Sequence, residues 1–268
     1  MQLIGSSAIV TGGAQGIGLA IARRILDEGG SVLLLDLNRE GVEAAAARLG
    51  ADAGAPERVA AHAGSVASAA DVDAAFDAAT ERFGIPQLLA NNAGWASMSP
   101  IVDTSDEDWD RVFEVCVRGV FVGTRAFGRR ALAAGLPGAV VNTSSLNYMA
   151  ATEGLAAYCA AKAAVSQFTK VAALEFAPHG IRVNAVAPGI TRTPMSEGGF
   201  LGGRMGEEFI AHTPMGRFGE PEDIASAVAL LMSQDAGWVT GVTLNVDGGA
   251  HIRGLHNYWD TMQAEPVA

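Results

Sequence analysis

The feature that most constrains this chain is an alternation of two hydrophobic periods along its length. Short, nearly continuous apolar runs at residues 7–11, 31–36, 58–62, 88–91, 138–145, 181–187 and 242–246 have strand length. Between them lie longer stretches with apolar residues at helical spacing: 16–29, 38–49, 68–83, 104–134, 157–178 and one opening at Pro221. An apolar run with no polar alternation suits a strand covered on both faces. Strands alternating with helices predict crossover units, and so an α/β fold in which helices flank a doubly wound parallel sheet. The 268 residues suit a single domain spanning 1–268.

Composition narrows the function classes. The net charge of −11 argues against nucleic-acid binding, which needs a basic footprint. No uncharged apolar stretch reaches the roughly 18 residues of a membrane span, and the first residues lack the basic and apolar regions of a signal peptide. Cys116 and Cys159 show no metal-ligand or paired-thiol spacing, so no metal site is expected and reduced thiols in the cytoplasm are the simplest reading.

Two local patterns carry chemistry. The first is Thr11-Gly12-Gly13-Ala14-Gln15-Gly16-Ile17-Gly18, set between the first strand and the first helix. Glycines there allow a tight turn and a close approach to a pyrophosphate, which the helix N-terminus attracts. Asp36 ends the second strand, where a carboxylate bonds the adenosine ribose hydroxyls and repels a 2′-phosphate. That favours NAD and disfavours NADP; Arg39, in the next helix's first turn, is the counterweight.

The second pattern is Tyr158 and Lys162, one helical turn apart on one face. A free phenol holds its proton up to about pH 10, and a nearby ammonium favours the phenolate. Tyr158 can then exchange a proton with an alcohol or alkoxide. Ser145 ends a strand thirteen residues earlier and offers a hydroxyl to the same oxygen. Lysine is scarce: only Lys162 and Lys170 occur beside sixteen arginines.

With these motifs in order, the chain resembles the short-chain dehydrogenase/reductase family from about Ser7 to Gly249. The further landmarks are Asn91-Asn92-Ala93-Gly94, Asn184-Ala185-Val186-Ala187-Pro188-Gly189 and Thr193-Pro194-Met195. The resemblance implies a Rossmann-type sheet with NAD as cofactor. Gly12, Gln15, Gly16, Ile17 and Gly18 would hold its pyrophosphate and ribose. Asp36, Leu37, Ser65, Val66, Asn92, Ala93 and Gly94 would line the adenosine side. Pro188, Gly189, Thr191 and Thr193 would meet the nicotinamide end. Tyr158 would be the acid/base, Lys162 would support it and hold the nicotinamide ribose, and Ser145 would orient the substrate oxygen. A homotetramer or homodimer is implied as well.

Two positions depart from the family pattern. Cys116 stands where an asparagine usually anchors a proton relay, and a thiol is a weak donor and acceptor. Ser65 stands where an acidic residue or asparagine reads the adenine.

Pocket walls are expected from the loops at the strands' carboxyl ends. The candidates are Trp95, Met98, Asn147, Tyr148, Met149, Met195, Phe200, Leu201 and Met205, a mostly apolar set. The stretch 191–215 reads as a substrate lid, and 250–268 as a C-terminal tail whose Tyr258 and Trp259 pack on a neighbouring subunit. The expected function is transfer of a hydride between NAD(H) and a secondary alcohol or ketone, largely apolar or cyclic. Two alternatives stand beside it: an NADPH-dependent reductase of 3-oxoacyl thioesters, and a nucleotide-binding scaffold of little activity.

Overall fold

The computed structural model describes residues 3–197 and 199–253. Seven strands form one parallel sheet: β1 (Ser7–Thr11), β2 (Ser31–Asp36), β3 (Val59–Ala63), β4 (Leu88–Asn91), β5 (Gly138–Thr143), β6 (Ile181–Pro188) and β7 (Thr243–Val246). Their order is β3-β2-β1-β4-β5-β6-β7. Every adjacent pair is parallel, with Ala8 opposite Val32 on one side and Leu88 on the other. The order reverses between β1 and β4, which opens a crevice at their carboxyl ends.

Alternate residues of each strand feed two separate cores. Ala8, Val10, Val32 and Leu34 pack with α1 (Gly16–Asp27), α2 (Arg39–Asp52) and α9 (Pro221–Met232) through Ile21, Val42 and Ile224. Ile9, Leu33, Leu89 and Val140 face the other way. There they meet Phe76 of α3 (Ala69–Phe83), Phe127 of α5 (Gly119–Ala134) and Ala172 of α6 (Ala156–Phe176). Burial on both faces explains the unbroken apolar runs: β1 is buried throughout. Among the described residues no helix is long and apolar enough to cross a membrane.

The helix expected over 104–134 differs in two ways. It runs without a gap from Asp106 to Ala134, but as α4 (Asp106–Phe113), a π turn (Glu114–Arg118) and α5. Its start is capped by Ser105, which accepts from Asp108 N–H at 3.1 Å. The capping box that Thr104-Ser105-Asp106-Glu107 spells in the sequence, with Thr104 as cap and Glu107 reaching back, does not form. A 3₁₀ turn, Ile101–Asp103, ends immediately before Thr104, whose hydroxyl donates back to the Pro100 carbonyl at 3.0 Å. At Pro221 the helix starts as expected, with the Asp223 carboxylate accepting from Glu220 N–H at 2.8 Å.

The strand expected over 138–145 ends at Thr143. Ser145 is drawn off to cap a 3₁₀ turn, Leu146–Tyr148. The stretch 191–215 is mostly helical, with α7 (Pro194–Glu197) and α8 (Gly203–His212). Its base closes on itself, Arg192 N–H donating to the Gly219 carbonyl at 2.8 Å. Of the expected tail, residues 254–268, with Tyr258 and Trp259, lie outside the described residues, as does Gly198.

Candidate active site

The crevice between β1 and β4 is spanned by two loops that hold each other. Thr11 ends β1, and its hydroxyl accepts from the N–H groups of Asn92 (2.9 Å) and Ala93 (3.0 Å) just beyond β4. The Asn92 amide donates back to the carbonyls of Thr11 (3.1 Å) and Gly12 (3.4 Å). Gly12 has φ +64°, a left-handed conformation that glycine adopts freely. A Cβ on Gly18 would collide with the Gly12 carbonyl oxygen, so the turn and the first helical residues lie against one another.

Gln15 precedes α1 in extended conformation, and no side chain caps the helix. The N–H groups of its first turn are therefore open to an outside acceptor. Gly12 is packed so closely that a Cβ there would meet Ala93 Cα at 2.9 Å, and Thr193 lies 3.4 Å from where a Gly16 Cβ would stand. A pyrophosphate fits the open N–H groups. Ile17 and Val66 pack inward, Val66 against Gly119.

Beyond the turn, the Asp36 carboxylate accepts from Ala14 N–H at 3.1 Å and Asn38 N–H at 3.0 Å. These bonds fix it at the mouth of the crevice beside the exposed Leu37. Arg39 pairs with Glu43 at 3.4 Å on its own helix. Ser65 uses its hydroxyl to accept from Ala67 N–H (3.2 Å), while its own N–H donates to Asp71 (2.9 Å). Asp71 went unnoticed in the sequence, although Ser68-x-x-Asp71 is a capping pattern that could have flagged it.

The second half of the site lies past β5. Lys162 is only 2% exposed. Its ammonium donates to the Thr143 carbonyl at 2.8 Å and lies 5.4 Å from the centroid of the Tyr158 ring. The next residue, Ser144, donates to the Lys162 carbonyl at 3.0 Å and pairs with Ser166 at 2.9 Å. Two consecutive residues thus tie the end of β5 to α6: Thr143 and Ser144 grip Lys162, and Ser145 follows. Neither Thr143 nor Ser144 stood out in the sequence, since a main-chain acceptor leaves no residue signature.

Cys116 is fully buried inside the π turn. Its sulfur accepts from Trp95 N–H at 3.5 Å and donates to the Trp95 carbonyl at 3.3 Å. A side chain on Gly94 would project between Lys162 Nζ (3.8 Å) and Cys116 Sγ (4.0 Å). The thiol thus clasps the loop after β4 close to the lysine. Tyr158 packs with Trp95, Cys116 and Val112 in one small cluster. The Arg111 guanidinium covers the Trp95 ring at 4.4 Å, a cation–π contact.

The remaining candidates surround this centre unevenly. Asn147 bonds Ser145. Pro188 ends β6, and the adjoining Gly189 donates to the Val246 carbonyl at 3.1 Å and packs on Asp247. Thr191 is buried, its hydroxyl donating to the Gly189 carbonyl at 3.0 Å. Ser196, another residue missed, donates to the Thr191 carbonyl at 2.6 Å. Met149 and Met195 are both more than half exposed, whereas Leu201 is half-buried.

Comparison with known proteins agrees with this architecture. A family model described as enoyl-(acyl carrier protein) reductase matches residues 12–251. D-threitol dehydrogenase of Mycolicibacterium smegmatis is 40% identical, over 94% of this chain and 95% of its own. 3beta-hydroxysteroid dehydrogenase 1 of Eggerthella lenta is 40% identical, over 92% and 94%. The crystal structure of 3-ketoacyl-(acyl-carrier-protein) reductase from Brucella melitensis, complexed with NADH, has 35% identity and a TM-score of 0.84, covering 93% of this chain and 100% of that one. The matches run almost end to end, so the chain belongs to the short-chain dehydrogenase/reductase family of oxidoreductases.

Proposed function

We propose that this protein oxidises a secondary alcohol, or reduces the corresponding ketone, with NAD(H). The observation that carries the reading is the buried Lys162 ammonium, held between the Thr143 carbonyl and the Tyr158 ring at the end of the strand that delivers Ser145. Tyr158 is the group that takes the proton from the alcohol. In the reverse direction the phenol returns that proton to the carbonyl oxygen. Ser145 meets the same oxygen and orients it. The uncapped N–H groups opening α1 would hold the cofactor's pyrophosphate, and Lys162 its nicotinamide ribose. The bound nicotinamide supplies the two-electron chemistry; the protein orients it.

NAD is the cofactor this reading selects. The fixed Asp36 carboxylate suits a free ribose 2′-hydroxyl and repels a phosphate there. A largely apolar or cyclic substrate is supported by the apolar side chains of Trp95, Met149, Met195 and Leu201 and by the name of the steroid dehydrogenase relative, while the D-threitol dehydrogenase relative is named for a polyol. The exposed Trp238, Leu174 and Phe121 suit a homotetramer or homodimer. Likeness to the Brucella reductase supports the 3-oxoacyl thioester alternative, against which the −11 charge weighs for an acidic carrier. Initial rates with NAD and NADP across cyclic alcohols, polyols and a 3-hydroxyacyl thioester separate the readings. NAD reduction fastest with a cyclic alcohol supports the proposal; NADP reduction fastest with the thioester overturns it.

A further inference from the structure

Ser145 has one proton to give, and the structure shows where that proton goes. Its hydroxyl donates to Asn147 Oδ1 at 3.2 Å, and its oxygen accepts from the Asn147 main-chain N–H at 3.2 Å. A serine hydroxyl has one donor and two acceptor positions. Both contacts with Asn147 together leave a single lone pair free.

The direction of the first bond is fixed by the far end of the same amide. Asn147 Nδ2 donates to the Ala150 carbonyl at 3.2 Å and to the Thr152 hydroxyl at 2.7 Å. A carbonyl only accepts, so the NH₂ must face Ala150 and the oxygen must face Ser145. Turning the amide over would set two carbonyl oxygens against each other and leave Ser145 facing an N–H donor.

We propose that Asn147 is a positioning residue that competes with the substrate oxygen for the Ser145 proton, and so sets the preference for alcohol over ketone. A ketone oxygen can only accept, so to bond Ser145 it must first draw the hydroxyl off Asn147. An alcohol brings its own O–H, which donates to the free lone pair of Ser145 or to Tyr158, and leaves the Asn147 bond intact. The proposal rests on the alcohol/ketone reading of this site and adds to it the favoured form of the substrate.

The test is Asn147→Ala in the full-length protein. Kinetics are measured in both directions with cyclohexanol and cyclohexanone, or with the best alcohol of the panel and its ketone. The main-chain N–H at 147 survives, while the competing acceptor is lost together with the amide's bonds to Ala150 and Thr152. A neutral hydrogen bond of this kind corresponds to about a three- to tenfold change in binding. The expected result is a ketone KM lower by that factor, with the alcohol KM within about twofold of wild type. The reactants fix the overall equilibrium, so at unchanged cofactor affinity the reduction kcat falls in step with the ketone KM.

Thr152→Val gives a second arm that leaves Asn147 in place. It removes the firmest hold on the amide and shifts the ketone KM in the same direction by a smaller factor. It carries the test by itself if the Asn147 variant does not fold. A ketone KM that stays constant or rises in the folded variants, or two KM values that move together, overturns the proposal and makes Asn147 a support of its loop. Wild-type protein that turns over no alcohol or ketone overturns the functional reading first, and this inference with it.

Discussion

At the scale of single residues, the site is built from side chains whose partners leave little choice of position. Lys162 is the clearest case: the Thr143 carbonyl and the Tyr158 ring flank its ammonium, and Ser144 holds its carbonyl. Arginine's planar head would not fit a slot made for one compact cation. Asp36 is similarly held, by Ala14 and Asn38. If its charge excludes a 2′-phosphate, Asp36→Ser raises the ratio of kcat/KM for NADP to that for NAD by roughly tenfold, about 1.4 kcal/mol. Comparing the two cofactors at one alcohol concentration checks this; an unchanged ratio removes Asp36 from the selectivity argument. Cys116 shows how a departure from the family pattern is accommodated. Where the family usually has an asparagine, this thiol bonds both main-chain groups of Trp95.

At the scale of elements, the first turn of α1 and the start of α4 make separable predictions. Gly18→Ala drives a Cβ into the Gly12 carbonyl, so the turn must open. The expected outcome is loss of NAD binding by at least about tenfold in a fluorescence titration, with a lowered Tm. At α4, Ser105→Ala costs about 1 kcal/mol in a denaturant titration, the usual worth of an N-cap. Thr104→Ala costs less, because its hydroxyl bonds an outside carbonyl instead of the helix. The reverse order would restore the Thr104 box. These two residues also show where legibility ended. Hydrophobic period gave the seven strands and the long helices, because burial of both sheet faces is written directly in composition. It could not choose between adjacent hydroxyls at a cap, since the choice depends on the 3₁₀ turn before it. Nor could it show the π turn at Cys116. The Tyr158–Lys162 pairing was legible because four-residue spacing on a helix puts both side chains on one face. Thr143, Ser144 and Asp71 were not, because Thr143 acts through its carbonyl, Ser144 bonds a main-chain carbonyl, and Asp71 reaches Ser65 N–H from α3.

At the scale of the whole molecule, the sheet's reversal between β1 and β4 brings the glycine turn to the loop after β4, and parallel β5 delivers Ser145 and the anchor of Lys162 at the same edge. The lid-like segment closes on itself at Thr191 and Gly219, and its far end is fastened where Met215 N–H donates to the Gly248 carbonyl at 3.1 Å. Just beyond it, hydrogen bonds from the Arg217 guanidinium, and then from Glu220 N–H, hold the Asp223 carboxyl below its ordinary value. A carboxyl depressed in the folded state adds stability that is present above its unfolded value, about pH 4, and is lost as pH falls below it. Asp223→Asn is therefore expected to lower Tm modestly at pH 7, with the difference from wild type shrinking as the pH drops through the acid range. A constant difference across that range would mean the helix cap, and not the charge, accounts for the effect.

The central claim is that Tyr158 transfers the proton while the cofactor transfers the electrons. NAD reduction with the best alcohol of the panel, compared between wild type and Tyr158→Phe, tests it most directly. The variant keeps the ring packed against Trp95 and Cys116 and loses only the hydroxyl. The account predicts unchanged NAD binding and a kcat lower by roughly 10²–10⁴-fold. A variant that binds NAD and oxidises the alcohol at the wild-type rate would contradict it.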